Sequence, residues 1–158
     1  MSNAVLRARA LLGDLTPLTT DCGRLCGGAC CQGDEQTGML LFPNEERCFE
    51  GCDFGHVIPA NFSLAGKEAH LFVCNGHCCR ENRPLACRLF PLFLRFRKDG
   101  STRIRMDPRA FDVCPLCDYG LDALHSEFLS AARNAYDALL KDADCAAFLK
   151  ALDDELRL

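Results

Sequence analysis

An excess of positive charge, a long apolar run and an export leader are all missing from this 158-residue sequence. Eighteen lysines and arginines face twenty-two aspartates and glutamates, a formal net charge of −4. A surface that tracks phosphates needs a basic excess, so no nucleic-acid partner is expected. The local run Arg95, Arg97, Lys98, Arg103 and Arg105 reads as a solvated face. No apolar stretch approaches the ~20 residues that span a bilayer, and no membrane partner is expected. The opening "MSNAVLRARALLGDLTPL" sets Arg7 and Arg9 inside what would be the apolar part of a secretory leader, with Asp14 soon after. The expected location is therefore cytoplasmic. Internal repeats, low-complexity tracts, a nucleophilic triad, a phosphate-cradling glycine loop and a zinc-protease helix motif are absent too. No substrate follows from the residues.

What the chain has in abundance is cysteine, thirteen of them. That density borders on secreted disulfide scaffolds. The count is odd, however, and a reducing cytosol keeps thiols unpaired. Many unprotected thiols are an oxidation hazard. Bound metal ions account for them more economically than disulfides.

The coarse pattern is mixed. Residues Ala4 to Leu12 read as a short helix with one partly apolar face. The segment 22–31 carries Gly23, Gly27 and Gly28 and reads as a loop wrapped around something. "GMLLF" (Gly38–Phe42) and "HLFVC" (His70–Cys74) read as short strands, "PNEER" as a helix start, and 48–68 as irregular. "RPLACRLFPL" reads as a short helix between two prolines. "LFLRFR", the turn Asp99-Gly100 and "TRIRM" predict a hairpin, with Leu92, Leu94, Phe96, Ile104 and Met106 on one face. From Leu121 the tail reads as two helices broken at Asp142 to Asp144. The expectation is a single α+β domain over 1–158: a small, irregular, cysteine-rich, metal-centred region at 20–117 with a few short strands, and a C-terminal helical hairpin at 121–158.

The cysteines fall into three groups along the chain: Cys22, Cys26, Cys30 and Cys31; Cys74, Cys78, Cys79 and Cys87; and Cys114 with Cys117. Zinc and iron favour soft thiolate donors. A structural zinc takes four ligands, commonly as two short-spaced pairs, and iron–sulfur clusters take four cysteines each from glycine-rich loops. Glycine lets backbone N–H groups turn toward the sulfurs, and Arg83 and Arg88, flanking Cys87, are placed to add positive charge at such a cofactor. Adjacent cysteines such as Cys30-Cys31 point apart on an extended backbone and suit two neighbouring metals or a polynuclear cluster.

"DCGRLCGGACC", followed by "CNGHCCRENRPLACRLFPL", resembles the CxxCxxCC zinc- or iron-chelating family (YkgJ-type). The "RPxxCRxFP" element is matched by Arg83, Pro84, Cys87, Arg88, Phe90 and Pro91; the first run reads CxxxCxxxCC, one residue longer in each gap. The resemblance covers roughly 20–117. It implies bound zinc or iron and, residue by residue, the ligands Cys22, Cys26, Cys30, Cys31, Cys74, Cys78, Cys87 and Cys114, enough for two four-ligand sites.

Other residues have plainer readings. Cys145 lies on an apolar helix face and reads as core. Cys48 and Cys52, four apart, either bind or pack; Cys79 and Cys117 are ligands or spare thiols. His77 reads as a surface-loop histidine and Asn75-Gly76 as a tight turn that brings Cys74 to Cys78. Glu45 and Glu46 read as first-turn helix acids rather than an acid–base pair. The leading functional expectation is a protein holding iron–sulfur, of the 4Fe-4S kind, or zinc, with a redox or electron-transfer role and an unidentified protein partner. The alternative is a zinc-stabilised interaction module without catalysis. A radical enzyme using S-adenosylmethionine fits the spacing and length poorly, and thiol–disulfide exchange at "CPLC" lacks the usual βαβ setting.

Overall fold

The computed structural model describes residues 1–34, 36–76 and 78–157. Helix α1 (Asn3–Leu12) starts where the Ser2 hydroxyl accepts the Val5 N–H at 3.3 Å. Its buried residues Val5, Ala8 and Leu12 follow a helical period, and they pack on α4 (Ser126–Leu139). Ala131, Ala132 and Ala135 line the buried side of α4, and such small side chains let two helices approach closely. After α4 the chain turns, and Asp142 starts α5 (Ala143–Glu155) by accepting the Cys145 N–H at 3.0 Å. Cys145, Phe148 and Leu149 are the buried face of α5. The break anticipated at 142–144 is thus a helix cap.

Three antiparallel strands form one sheet in the order β1 (Met39–Leu40), β3 (Lys67–Cys74), β2 (Gly55–Leu64). The long strand β2 falls in the segment expected to be irregular. Pro59 and Gly55 read as breakers in sequence, but β2 lies at the sheet edge, where a proline is tolerated. The register does slip between Pro59 and Ser63. Gly55 is needed for another reason: a Cβ there would stand 2.5 Å from the Val73 carbonyl oxygen. Residues 65 and 66, with φ of 51° and 74°, close the β2–β3 hairpin.

The short helix α3 (Leu85–Leu89) leads into the second sheet, the hairpin of β4 (Leu92–Phe96) and β5 (Thr102–Met106). Leu92 faces Met106 and Leu94 faces Ile104, the pairing expected from alternation, and Gly100 turns the chain at φ 82°. Between the elements lies one apolar core, including Val5, Leu12, Leu85, Phe128, Leu139 and Phe148. A smaller cluster of Leu41, Phe49 and Phe72 lies beneath the end of β3, with the Phe49 and Phe72 rings 4.9 Å apart.

Buried polar groups tie these parts together. Glu45, fully buried, accepts the Leu85 N–H at 2.8 Å and the Phe42 N–H at 3.2 Å and pairs with Arg9 at 3.4 Å. It joins α1, α3 and the segment after β1, a role beyond that of a first-turn acid. Asp153, also fully buried, holds Arg95, Arg157 and the Phe96 N–H.

The α+β class with short sheets stands; the metal-centred expectation is corrected. The middle of the fold is hydrocarbon, and among the described residues no group of three or more His, Cys, Asp or Glu side chains comes together to hold an ion. Nor is any described helix long and apolar enough to cross a membrane.

Candidate functional site

Glycine shapes the first cysteine segment. Its start is a single helical turn, α2 (Gly23–Cys26), rather than the loop expected throughout. Gly27 and Gly28 follow, both left-handed at φ 63° and 72°, a conformation a side chain disfavours. They reverse the chain into a tight 3₁₀ turn at Ala29–Cys31. An isolated bridge between Gln32 and Asn75 then fastens this segment to the end of β3. Cys31 and Cys74, remote in sequence, are thereby brought to the wall of one small cavity. Gly76, at φ 91°, turns the chain after β3, and Cys78 meets Cys74.

The thiol contacts run from one residue to the next. Cys30, Cys31, Cys74 and Cys78 lie near enough to shift one another's acidity, and the Arg83 charge acts on Cys31 and Cys78. Cys87, on α3, lines the same small cavity of about 30 Å³ as Cys30, Cys31, Cys74, Cys78 and Arg83. That cavity is water-sized. Cys30, Cys31, Cys78, Cys79 and Arg83 also line an open cleft of about 880 Å³. Cys22 lines that open cleft too, and both Cys22 and Cys26 lie outside the small cavity while still acting on Cys30. Cys26 Sγ lies 3.9 Å from the Cys22 carbonyl oxygen, and both cysteines neighbour Cys114, which contacts the buried Cys117.

The sequence grouping is therefore split. Of the first run, Cys30 and Cys31 line the small cavity with the cysteines of β3 and α3, whereas Cys22 and Cys26 lie between Cys30 and Cys114. Arg83 stands beside the thiols. Arg88 does not; its guanidinium is committed to the Arg9 and Gly13 carbonyls at 3.1 and 2.8 Å, closing the end of α1. Cys48 is exposed, whereas Cys52 donates to the Gly55 carbonyl at 3.2 Å and packs on the Phe49–Phe72 cluster. Cys145 is buried in the core, 3.8 Å from the Ser2 hydroxyl. His77 lies outside the described residues. Arg9 was not singled out in sequence; it fixes the backbone beside the thiols by donating to the Arg83 carbonyl at 2.5 Å and the Glu81 carbonyl at 2.7 Å. Only its interruption of an otherwise apolar helix pointed to it.

The thiols have different acidities. The hydrogen bond from Cys30, then the Arg83 charge and the hydrogen bond from Cys74, pull Cys31 down to about 6 against the opposing effect of burial. Cys30, the donor in that contact, is raised. Burial raises Cys74 and pushes Cys87 well up. Burial, then the neighbouring Cys114, lifts Cys117 to about 11. Cys31 is thus the more acidic thiol of the Cys30–Cys31 pair, and a low thiol pKa favours nucleophilic sulfur chemistry.

No protein-family model, curated protein or solved structure matches the chain. The resemblance to the CxxCxxCC family is accordingly corrected: its first motif is stretched by one residue in each gap, and the ion-holding cluster it implies is not formed among the described residues. The expectations built on it are corrected with it. These are the iron–sulfur or zinc cofactor, the metal-binding function with its redox centre or zinc-stabilised module, and metal ions as partners. The cysteines of the first and second runs share a small cavity, yet among the described residues no three of them are placed to hold one ion.

Proposed function

We propose that this protein is a thiol-based redox module of a reducing, cytoplasmic compartment, in which Cys31 and Cys74 exchange with a disulfide of a partner molecule. The single observation behind this reading is that Cys31 and Cys74, far apart in sequence, line one water-sized cavity. All thirteen cysteines are free thiols, which suits such a compartment.

The exchange balances as follows. The Cys31 thiolate attacks one sulfur of the partner disulfide. That S–S bond breaks, a mixed disulfide forms, and the departing thiolate takes up a proton. Cys74 then loses its proton and attacks the Cys31 sulfur, releasing the second partner thiol. Two thiols of this chain become one disulfide, and one partner disulfide becomes two thiols. The low proton affinity of Cys31 suits it to attack near neutral pH. Arg83 keeps positive charge beside the developing thiolates, and the open cleft admits the partner's disulfide.

The test is to treat chelator-washed, fully reduced protein with oxidised glutathione and map the products by mass spectrometry. A Cys31–Cys74 disulfide is expected as the first internal product, lost in Cys31→Ser and retained in Cys48→Ser. Oxidation that ignores Cys31 overturns the reading.

A further inference from the structure

A second feature lies away from the thiols. The β4–β5 hairpin carries Arg95 directly opposite Arg103, and Arg105 opposite Phe93. Alternation along the strands puts Phe93, Arg95 and Arg97 on the same face. Like charges facing each other across a sheet oppose folding. The fold relieves only part of this. Arg95 reaches Asp153 at 3.2 Å, but Arg157 shares that carboxylate. Arg97, Lys98, Arg103 and Arg105 are exposed and make no ion pair among the described residues.

These cations line an open groove of about 690 Å³ between the hairpin and the 108–121 segment. Its other side is apolar: Leu121 and Phe111 line it, and Phe111 is 58% exposed. A large exposed ring beside uncompensated guanidinium groups is a poor surface for water alone and a good one for a ligand carrying both carboxylates and apolar side chains.

We propose that this groove docks a short acidic segment of a partner protein, with carboxylates on Arg103 and Arg105 and an apolar side chain against Phe111. Guanidinium forks match carboxylates two bonds at a time. A nucleic acid suits the surface less well. The chain as a whole carries −4, so a polyanion that extended beyond this hairpin would meet repulsion. The docking surface is independent of the thiol reading and stands or falls separately.

Fluorescence anisotropy tests it with three labelled probes: a short Glu-rich peptide containing one Phe, the same peptide with Gln for Glu, and oligo-dT. Saturable binding of the Glu peptide is expected, weakening with salt and absent for the Gln peptide. The pair Arg103→Gln and Arg105→Gln is expected to weaken it about tenfold at an unchanged melting temperature. Should that pair disturb the hairpin, Lys98→Glu at the turn carries the same expectation, with a smaller loss. No binding of the Glu peptide, binding indifferent to these substitutions, or tighter binding of oligo-dT overturns the proposal.

Discussion

The helical side and the cysteine side of the molecule are built on opposite terms. On the helical side, α1, α4 and α5 bury contiguous apolar faces, and fully buried carboxylates hold their neighbours in place. On the cysteine side the chain is shaped by left-handed glycines and one isolated bridge; Cys30, Cys31 and Cys78 lie outside the apolar clusters, and Cys74 packs only at the edge of the smaller one. The first region buries most of the apolar surface, and the second gathers thiols around a small cavity and an open cleft. Stability and thiol chemistry are therefore expected to separate under mutation.

The strongest way to break that separation is to attack the helical side. Glu45→Ala leaves the buried Leu85 and Phe42 N–H groups without their acceptor and takes the carboxylate from Arg9. Its expected loss is about 3–5 kcal/mol, read by denaturant unfolding. Phe128→Ala is expected to cost a similar amount, about 3–5 kcal/mol, through the cavity it leaves. A loss below about 1 kcal/mol in both would mean the core is not the main support.

On the other side, Cys31→Ser is expected to leave the unfolding free energy within about 0.5 kcal/mol. The same change is expected to lower the rate of reaction with oxidised glutathione by an order of magnitude or more. A large loss of stability in this variant would make the thiols structural.

Acidity sharpens the comparison. With its pKa lowered to about 6, Cys31 is thiolate above that pH and thiol below it. Its alkylation by iodoacetamide is expected to rise through pH 6 and level off near neutrality, whereas an ordinary thiol is still rising near 9. Replacing Arg83 with Gln removes a charge that favours the thiolate, so the midpoint is expected to move upward. An unmoved midpoint would assign the effect to Cys30 and Cys74 alone. The smallest effect is expected of Cys48→Ser, an exposed position, which leaves both stability and exchange unchanged.

Much of the scaffold was legible in the sequence. The α1 helix, the β4–β5 hairpin with its Gly100 turn and the two C-terminal helices follow from local periodicity and turn chemistry. Strand β2 was not, because Pro59 and Gly55 signal a break locally and only the edge position and the close approach of Val73 explain them. The cysteine site was half legible. Turn chemistry pointed to the Cys74–Cys78 contact, but the division of the first run depends on the Gly27-Gly28 reversal and the Gln32–Asn75 bridge, which are tertiary facts. Counting thiols pointed to metal ions because composition carries no information about convergence. Arg88 was misleading for a related reason: its neighbour Cys87 suggested a cofactor, while its guanidinium serves the end of α1.

The most direct test of the central claim is native mass spectrometry of the purified protein before and after exposure to oxidised glutathione. The account predicts an ion-free chain that loses two hydrogens on oxidation, with the new bond assigned to Cys31 and Cys74. A stoichiometric zinc or iron adduct that disappears in Cys31→Ser, or a mass unchanged by glutathione, would contradict it.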